Sequence, residues 1–156
     1  MRVQDFIADE TNRAMESLLH QAKRVPADKL EWKPMEEGRS TLDQVQECAI
    51  IAGFYPMVLS TLQVPEFTED SMKQFEEAQA KLDTLEKAEA ELRKNTAVAT
   101  EAIRNMPDDS LGKEMKFFGP DMWKVSSVMN AHTWNMQYHT GQICYIQTLL
   151  GDKQMG

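Results

Sequence analysis

Apolar residues recur along this chain every three or four positions, and no segment alternates apolar with polar residues for long. That period permits helices and leaves little room for a sheet. Pro and Gly stand where helices should stop. The first helix is expected from about Val3 to Arg24. At about 100° per residue, Val3, Ile7, Ala14, Leu18 and Val25 fall in one narrow arc, a single buried stripe, and Pro26 ends it. Ser40 is a natural N-cap for a second helix with the inner stripe Leu42, Val45, Ala49, Ala52 and Leu59. Pro56 should kink that helix or end its regular part, and Val64-Pro65 closes it. Thr68 to Lys81 reads as a shorter helical connection. The third helix opens at Asp83, whose spacing to Glu86 is that of a capping box. It continues through Leu85, Ala88, Leu92, Ala99 and Ile103 to Met106, where Pro107 stops it. The segment MKFFGP reads as a loop plugging the end of the bundle. The fourth helix is expected from Met122 to Leu150, with Gly151 as its stop. Four antiparallel helices near 3–24, 41–62, 84–106 and 122–150 predict an all-α four-helix bundle, one domain over residues 1–156.

Charge and composition then narrow the function. The chain has 25 acidic against 17 basic residues, a formal charge of −8. Such a surface repels phosphate backbones, so no nucleic-acid partner is expected. The longest apolar stretch, Ala49 to Leu59, is too short to span a membrane and is broken by Pro56. The N-terminus MRVQDFIADE lacks the basic-then-apolar pattern of a signal peptide. Two cysteines, Cys48 and Cys144, make no disulfide framework and suit a reducing cytoplasm. There is no glycine-rich phosphate loop, no Cys-x-x-Cys pair and no serine elbow.

The histidines carry what chemistry there is. His20 lies more than about 120° from the inner stripe of its helix and should face solvent. On the fourth helix Val125, Val128, His132, Met136, His139, Ile143, Ile146 and Leu150 share one face. His132 and His139 therefore point inward, with Asn135 on the edge between them. A buried imidazole must be hydrogen-bonded, bind a metal or border a wet cavity. Two satisfied core histidines and a polar pocket between helices both remain open. On the second helix Cys48 flanks the inner stripe and can reach the same region, whereas Glu47 falls on the opposite side. The expectation is that His132, Asn135, His139 and Cys48 border one cavity between the second and fourth helices. A second apolar stripe, Trp123, Trp134, Tyr138, Gly141 and Tyr145, runs opposite the histidines. A helix apolar on two faces is buried on both, and with Phe117 and Phe118 covering only part of it, a homodimer is expected.

Several short motifs occur in a set order: Leu30-Glu31-Trp32-Lys33-Pro34, Gly38-Arg39-Ser40-Thr41-Leu42, Pro107-Asp108-Asp109-Ser110-Leu111, and His139-Thr140-Gly141-Gln142 followed by Leu149-Leu150-Gly151. Over roughly residues 5 to 151 this order resembles the DinB-like family of four-helix bundles, which includes bacillithiol- and mycothiol-linked transferases. The resemblance implies a metal site of three histidines, one from the second helix and two, four residues apart, from the last. Only His139 matches. Asn135 stands four residues earlier, and the second-helix position falls on Cys48, or on Glu47 with a slip of one. An amide is a poor ligand for a transition metal. The resemblance also implies dimers. The reading is therefore a degenerate-site member with a polar cavity for a small molecule or for nothing specific, no cofactor, and little zinc, nickel or iron. Two alternatives stay open. One is a metal-dependent thiol transferase or hydrolase with a divalent metal (zinc or nickel) on His139 and Cys48, completed by Asn135 or His132. The other is a dimeric structural module.

Overall fold

The computed structural model describes residues 1–154. Five α-helices appear in order: α1 (Val3–Arg24), α2 (Thr41–Thr61), α3 (Glu69–Lys81), α4 (Leu85–Arg104) and α5 (Val125–Leu149). Between α4 and α5 lies a two-stranded antiparallel hairpin, β1 (Glu114–Lys116) and β2 (Met122–Lys124), with Met115 opposite Trp123. The bundle consists of α1, α2, α4 and α5, while α3 rests against α2. The all-α four-helix bundle expected from periodicity is present, and α4 and α5 are the third and fourth helices of that reading.

The helix directions differ from the expected antiparallel arrangement. Thr11 meets Thr133 and Gln21 meets Gln147, so α1 and α5 run the same way. Asp9 meets Arg104 and Lys23 meets Glu89, so α1 and α4 run oppositely. Tyr55 contacts His132 and Glu47 contacts His139, which makes α2 antiparallel to α5 and therefore parallel to α4. The cause is the connection after α2. At about 1.5 Å per residue the 13-residue α3 spans roughly 20 Å, enough to carry the chain back to the end where α2 began. A long crossover of this kind replaces the short turn that antiparallel neighbours need.

Local chemistry explains most element ends. Ser40 Oγ accepts the Asp43 N–H at 3.2 Å and caps α2. Helix α2 continues through Pro56 to Thr61, so Pro56 does not end it; it stops where Leu62 turns left-handed at φ 53°. Helix α4 is capped by Thr84, one residue later than expected: Thr84 Oγ1 accepts the Lys87 N–H, while Asp83 pairs with the Lys87 ammonium at 2.7 Å. Met122–Lys124 is strand rather than the first turn of the last helix, and MKFFGP begins with two strand residues, Met115 and Lys116, and ends in a bend, with Gly119 at φ 77°. Phe117 packs on Trp123 at 5.6 Å and covers part of that end of the expected second stripe, Trp123 staying 37% exposed. Helix α5 has no side-chain cap; Val125 and Ser126 instead donate their N–H groups to the Lys113 and Leu111 carbonyls.

The core forms two clusters, each drawn from all four bundle helices, with Leu18, Val45, Leu92, Met136 and Ile143 in one and Ile103, Val128 and Met129 in the other. The two seams of α1 differ in kind. Toward α4 it is held by ion pairs, Lys23–Glu89, Arg93–Glu16 and Arg104–Asp9. Toward α5 it is held by neutral hydrogen bonds, Thr11–Thr133 at 2.8 Å and the Gln147 amide to the Gln21 carbonyl at 2.6 Å. No helix is long and apolar enough to cross a membrane among the described residues.

Candidate functional site

The polar centre of the molecule lies where the first half of α2 faces the middle of α5. Arg39, Asp43 and Glu47 are four residues apart and so share one side of α2 and its entry. The Arg39 guanidinium grips Asp43 through two nitrogens, at 2.7 and 3.0 Å, and donates its remaining edge to Glu47 Oε2. Such a fork fixes both distance and orientation. The other oxygen of the same carboxylate, Glu47 Oε1, lies 3.1 Å from His139 Nε2. His139 Nδ1 is 3.1 Å from Gln44 Oε1 and 3.2 Å from Gln142 Oε1. The chain of contacts extends outward through Gln79, which donates to Asp43 and Gln46, and Gln46 in turn donates to the Leu82 carbonyl at 2.8 Å. One network thus ties α2, α3 and α5 together.

Burial and charge act against each other here. The His139 side chain is 2% exposed and that of Glu47 21%. Burial alone would raise the Glu47 carboxyl, but the hydrogen bonds from His139 and Arg39 outweigh it and hold Glu47 down to about 2. Burial likewise opposes ionisation of Asp43, and Arg39 overcomes it, keeping Asp43 below the usual carboxylate range. Arg39 is raised in turn, chiefly by its hydrogen bond to Asp43.

The four residues expected around one cavity divide into separate contacts. His139 belongs to the network. Asn135 donates to Cys48 Sγ at 3.7 Å, and Cys48 is fully buried, its thiol pushed up mainly by that burial. His132 is fully buried with no protein hydrogen-bond partner on either ring nitrogen, and its ring lies 5.4 Å from that of Tyr55. Burial holds its imidazole down to about 4, so it is neutral at pH 7. Two surface clefts, of about 220 and 460 Å³, are lined by none of the four; the smaller borders Asp43 and Gln46. His20 is exposed as expected.

Glu47 reverses an expectation. Its Cα direction points away from the inner stripe, but a long flexible side chain reaches along the α2 flank to His139, with Arg39 holding its far oxygen. Gln44, Arg39 and Asp43 were also outside the expected set. The Arg-x3-Asp-x3-Glu spacing was the readable signal for them, since on a helix it stacks a cation against two carboxylates.

A metal is the group that a three-histidine site would hold, and the residues present do not fit one. His139 Nε2 and Glu47 Oε1 are two donors, whereas a catalytic zinc takes three protein ligands. The Glu47 carboxylate already carries the Arg39 cation on its second oxygen, which disfavours another positive charge beside it. Cys48 faces Asn135, and its raised thiol resists the deprotonation that metal binding requires. Among the described residues no group of three or more His, Cys, Asp or Glu is arranged to hold a metal ion.

No family model and no curated protein sequence matches the chain. Solved structures do. A DinB-like protein (YjoA) from Bacillus subtilis superposes with a TM-score of 0.65 at 13% identity, over 96% of this chain and 94% of that one. An uncharacterized protein from Clostridium difficile 630 superposes with a TM-score of 0.68 at 13% identity, over 94% of this chain and 96% of that one. At that identity the likeness speaks for architecture, and it spans both molecules nearly end to end. The chain has the fold of the DinB-like proteins.

Proposed function

We propose that this chain is a metal-independent, non-catalytic protein of DinB-like fold, in which an internal ion-pair network occupies the place of a metal site. One observation carries the reading: both ring nitrogens of His139 are taken by Glu47, Gln44 and Gln142, and Glu47 is taken at its other oxygen by Arg39. A catalytic base or ligand needs a free lone pair aimed at substrate or metal; this imidazole is enclosed on both edges. The network's role is to hold α2, α3 and α5 in register, leaving activity to the outer surface of the bundle and to small molecules that reach the partly exposed Glu47 edge. Two free cysteines, one buried and one half-buried, support a reducing compartment such as the cytoplasm.

A second reading has one point in its favour. Two ligand atoms at about 2.0–2.1 Å from a tetrahedral zinc stand roughly 3.4 Å apart, not far from the 3.1 Å between His139 Nε2 and Glu47 Oε1. On that reading the protein is a metal-dependent transferase or hydrolase. Metal analysis separates the two. Protein purified without chelator or affinity metal is expected to hold well under one zinc, nickel or iron per chain, with a melting temperature unmoved by EDTA. Stoichiometric metal, lost in both His139→Ala and Glu47→Ala, would establish the enzyme reading instead.

A further inference from the structure

The larger of the two clefts, about 460 Å³, lies between the C-terminal ends of α2 and α4 and the 3₁₀ turn Asp108–Ser110 that follows α4. Leu59, on its α2 side, stands three helical turns beyond Glu47, about 18 Å along the axis, so the cleft is separate from the His139 network. Helices α2 and α4 approach closely at Gly53, where a Cβ would meet the Asn95 amide at 3.2 Å. The cleft opens past that point, where Pro56 and the small Ala102 line the gap.

Its lining is mostly apolar, from Pro56, Leu59 and Leu62 on one side and Ala102, Met106 and Pro107 on the other. A cleft of about 300–1,000 Å³ with such a lining and a few placed polar groups is the usual form of a small-molecule site. The charges are as selective as the shape. In a chain with 25 acidic residues against 17 basic, no Asp or Glu lines this cleft among the described residues, and the one cation is Lys113. Among the described residues the Lys113 ammonium bonds only Ser110 Oγ, at 3.2 Å. Ser110 is 7% exposed and therefore fixed in place; its other side-chain contact, to Asp109 Oδ1, is long at 3.4 Å. The negative end of α4 does not occupy the lysine, because the Met106 carbonyl already accepts from the Gln4 amide at 2.9 Å and from Arg2 at 3.4 Å.

Leu62 adds an independent observation. Among the described residues it is the one non-glycine at positive φ, 53°. Glycine is usual at such a helix end because a Cβ is strained there. A glycine would end α2 without strain; the leucine instead packs partly on the core cluster of Ile103 and Val128 and lines the cleft with the rest of its surface. Backbone strain gathers where ligands are clamped.

We propose that this cleft binds a small carboxylic acid with an apolar body, its carboxylate on Lys113 and Ser110 and its body against Leu59, Leu62 and Met106. A hydrogen bond from an ammonium to a carboxylate is stronger than one between neutral groups. No carboxylate in the lining competes for the lysine, so the head of the ligand is selected by charge. The apolar lining accepts an aliphatic or aryl body and gives a second charge no partner.

The test uses three probes of one chain length, octanoate, octanol and octylamine, titrated calorimetrically into the wild type at pH 7.5. Amide chemical shifts locate the site. Octanoate is expected to bind saturably, with shifts concentrated at residues 56–62 and 102–113 and none at 39–47. Octanol and octylamine should each bind at least tenfold more weakly. Lys113→Met should weaken octanoate at least tenfold without weakening octanol, which separates loss of the charged head from loss of the fold. Ala102→Phe, which fills the cleft, should abolish octanoate binding with the helical spectrum kept. Lys73→Met, on the exposed side of α3, should change nothing. Absence of saturable octanoate binding overturns the proposal, as does octanol or octylamine binding as tightly as octanoate. Shifts centred on Glu47 and His139, or octanoate affinity unmoved by Lys113→Met, also overturn it.

Discussion

Replacing His132 with leucine is expected to stabilise the protein and to remove most of its loss of stability between pH 6.5 and 4. The imidazole is fully buried and lacks a protein partner on either nitrogen, and burial lowers it from an ordinary 6.5 to about 4. Below pH 6.5 the unfolded chain takes up a proton that the folded chain refuses until about pH 4. Stability is therefore intact above the unfolded value, falls as the pH drops through this window, and levels off beneath it. Two and a half pH units correspond to about 3 kcal/mol. At pH 7 the leucine variant should gain roughly 1–3 kcal/mol, the usual cost of an unsatisfied buried polar group. Urea midpoints measured from pH 7.5 to 4 decide the matter. A variant less stable than wild type at pH 7, with the same acid limb, would mean that His132 is well bonded after all.

Arg39→Met is expected to cost about 2–4 kcal/mol, somewhat less than breaking a fully buried ion pair because the site is partly exposed. The guanidinium is the cation shared by Asp43 and Glu47, and without it two carboxylates on one side of α2 repel each other. The pH dependence should change as well. Glu47, held down to about 2 in the folded chain from an ordinary 4.5, contributes stability above pH 4.5 that is lost as the pH falls toward 2. In the methionine variant Glu47 titrates nearer its ordinary value, so this limb should shrink. The two acid limbs are thus separable, one belonging to His132 above pH 4 and one to Glu47 and Asp43 largely below it. A double-mutant cycle with Glu47→Gln measures the coupling. Coupling under about 0.5 kcal/mol would reduce the network to a surface decoration.

What could be read from the sequence, and what could not, follows from the range of the forces involved. The bundle helices were legible because each has a stripe of small and branched apolar residues and a hard stop, such as Pro26, Pro65, Pro107 or Gly151. Ser40 was legible as a cap because its partner, the Asp43 N–H, is three residues away. Helix direction was not, because nothing local to α2 or α4 records that α3 is a crossover; that depends on where a 13-residue helix can lie on the finished bundle. The hairpin was missed because only Met115 of β1 is buried and no residue of β2 is, leaving no alternation to detect. At the site, His139 was visible from the wheel, as was Asn135 beside it, which contacts Cys48. Glu47 was not, since a wheel reports where Cβ points and ignores a side chain long enough to turn the corner. Cys48, favoured by the same wheel, reaches Asn135 instead of His139.

The unlike seams of α1 bear on how the molecule should open in solution. Ion pairs between exposed side chains weaken as the Debye length shortens from about 10 Å at 0.1 M salt to 3 Å at 1 M. Neutral hydrogen bonds and aliphatic packing do not. Hydrogen exchange should then show a directional response to ionic strength. The amides along the α1–α4 boundary, laced by Lys23–Glu89, Arg93–Glu16 and Arg104–Asp9, should lose protection as salt is raised. Those along α1–α5, joined through Thr11–Thr133 and Gln21–Gln147, should keep theirs. Fluctuations in concentrated salt would therefore part α4 from α1 first, with α1 and α5 moving as one rigid pair.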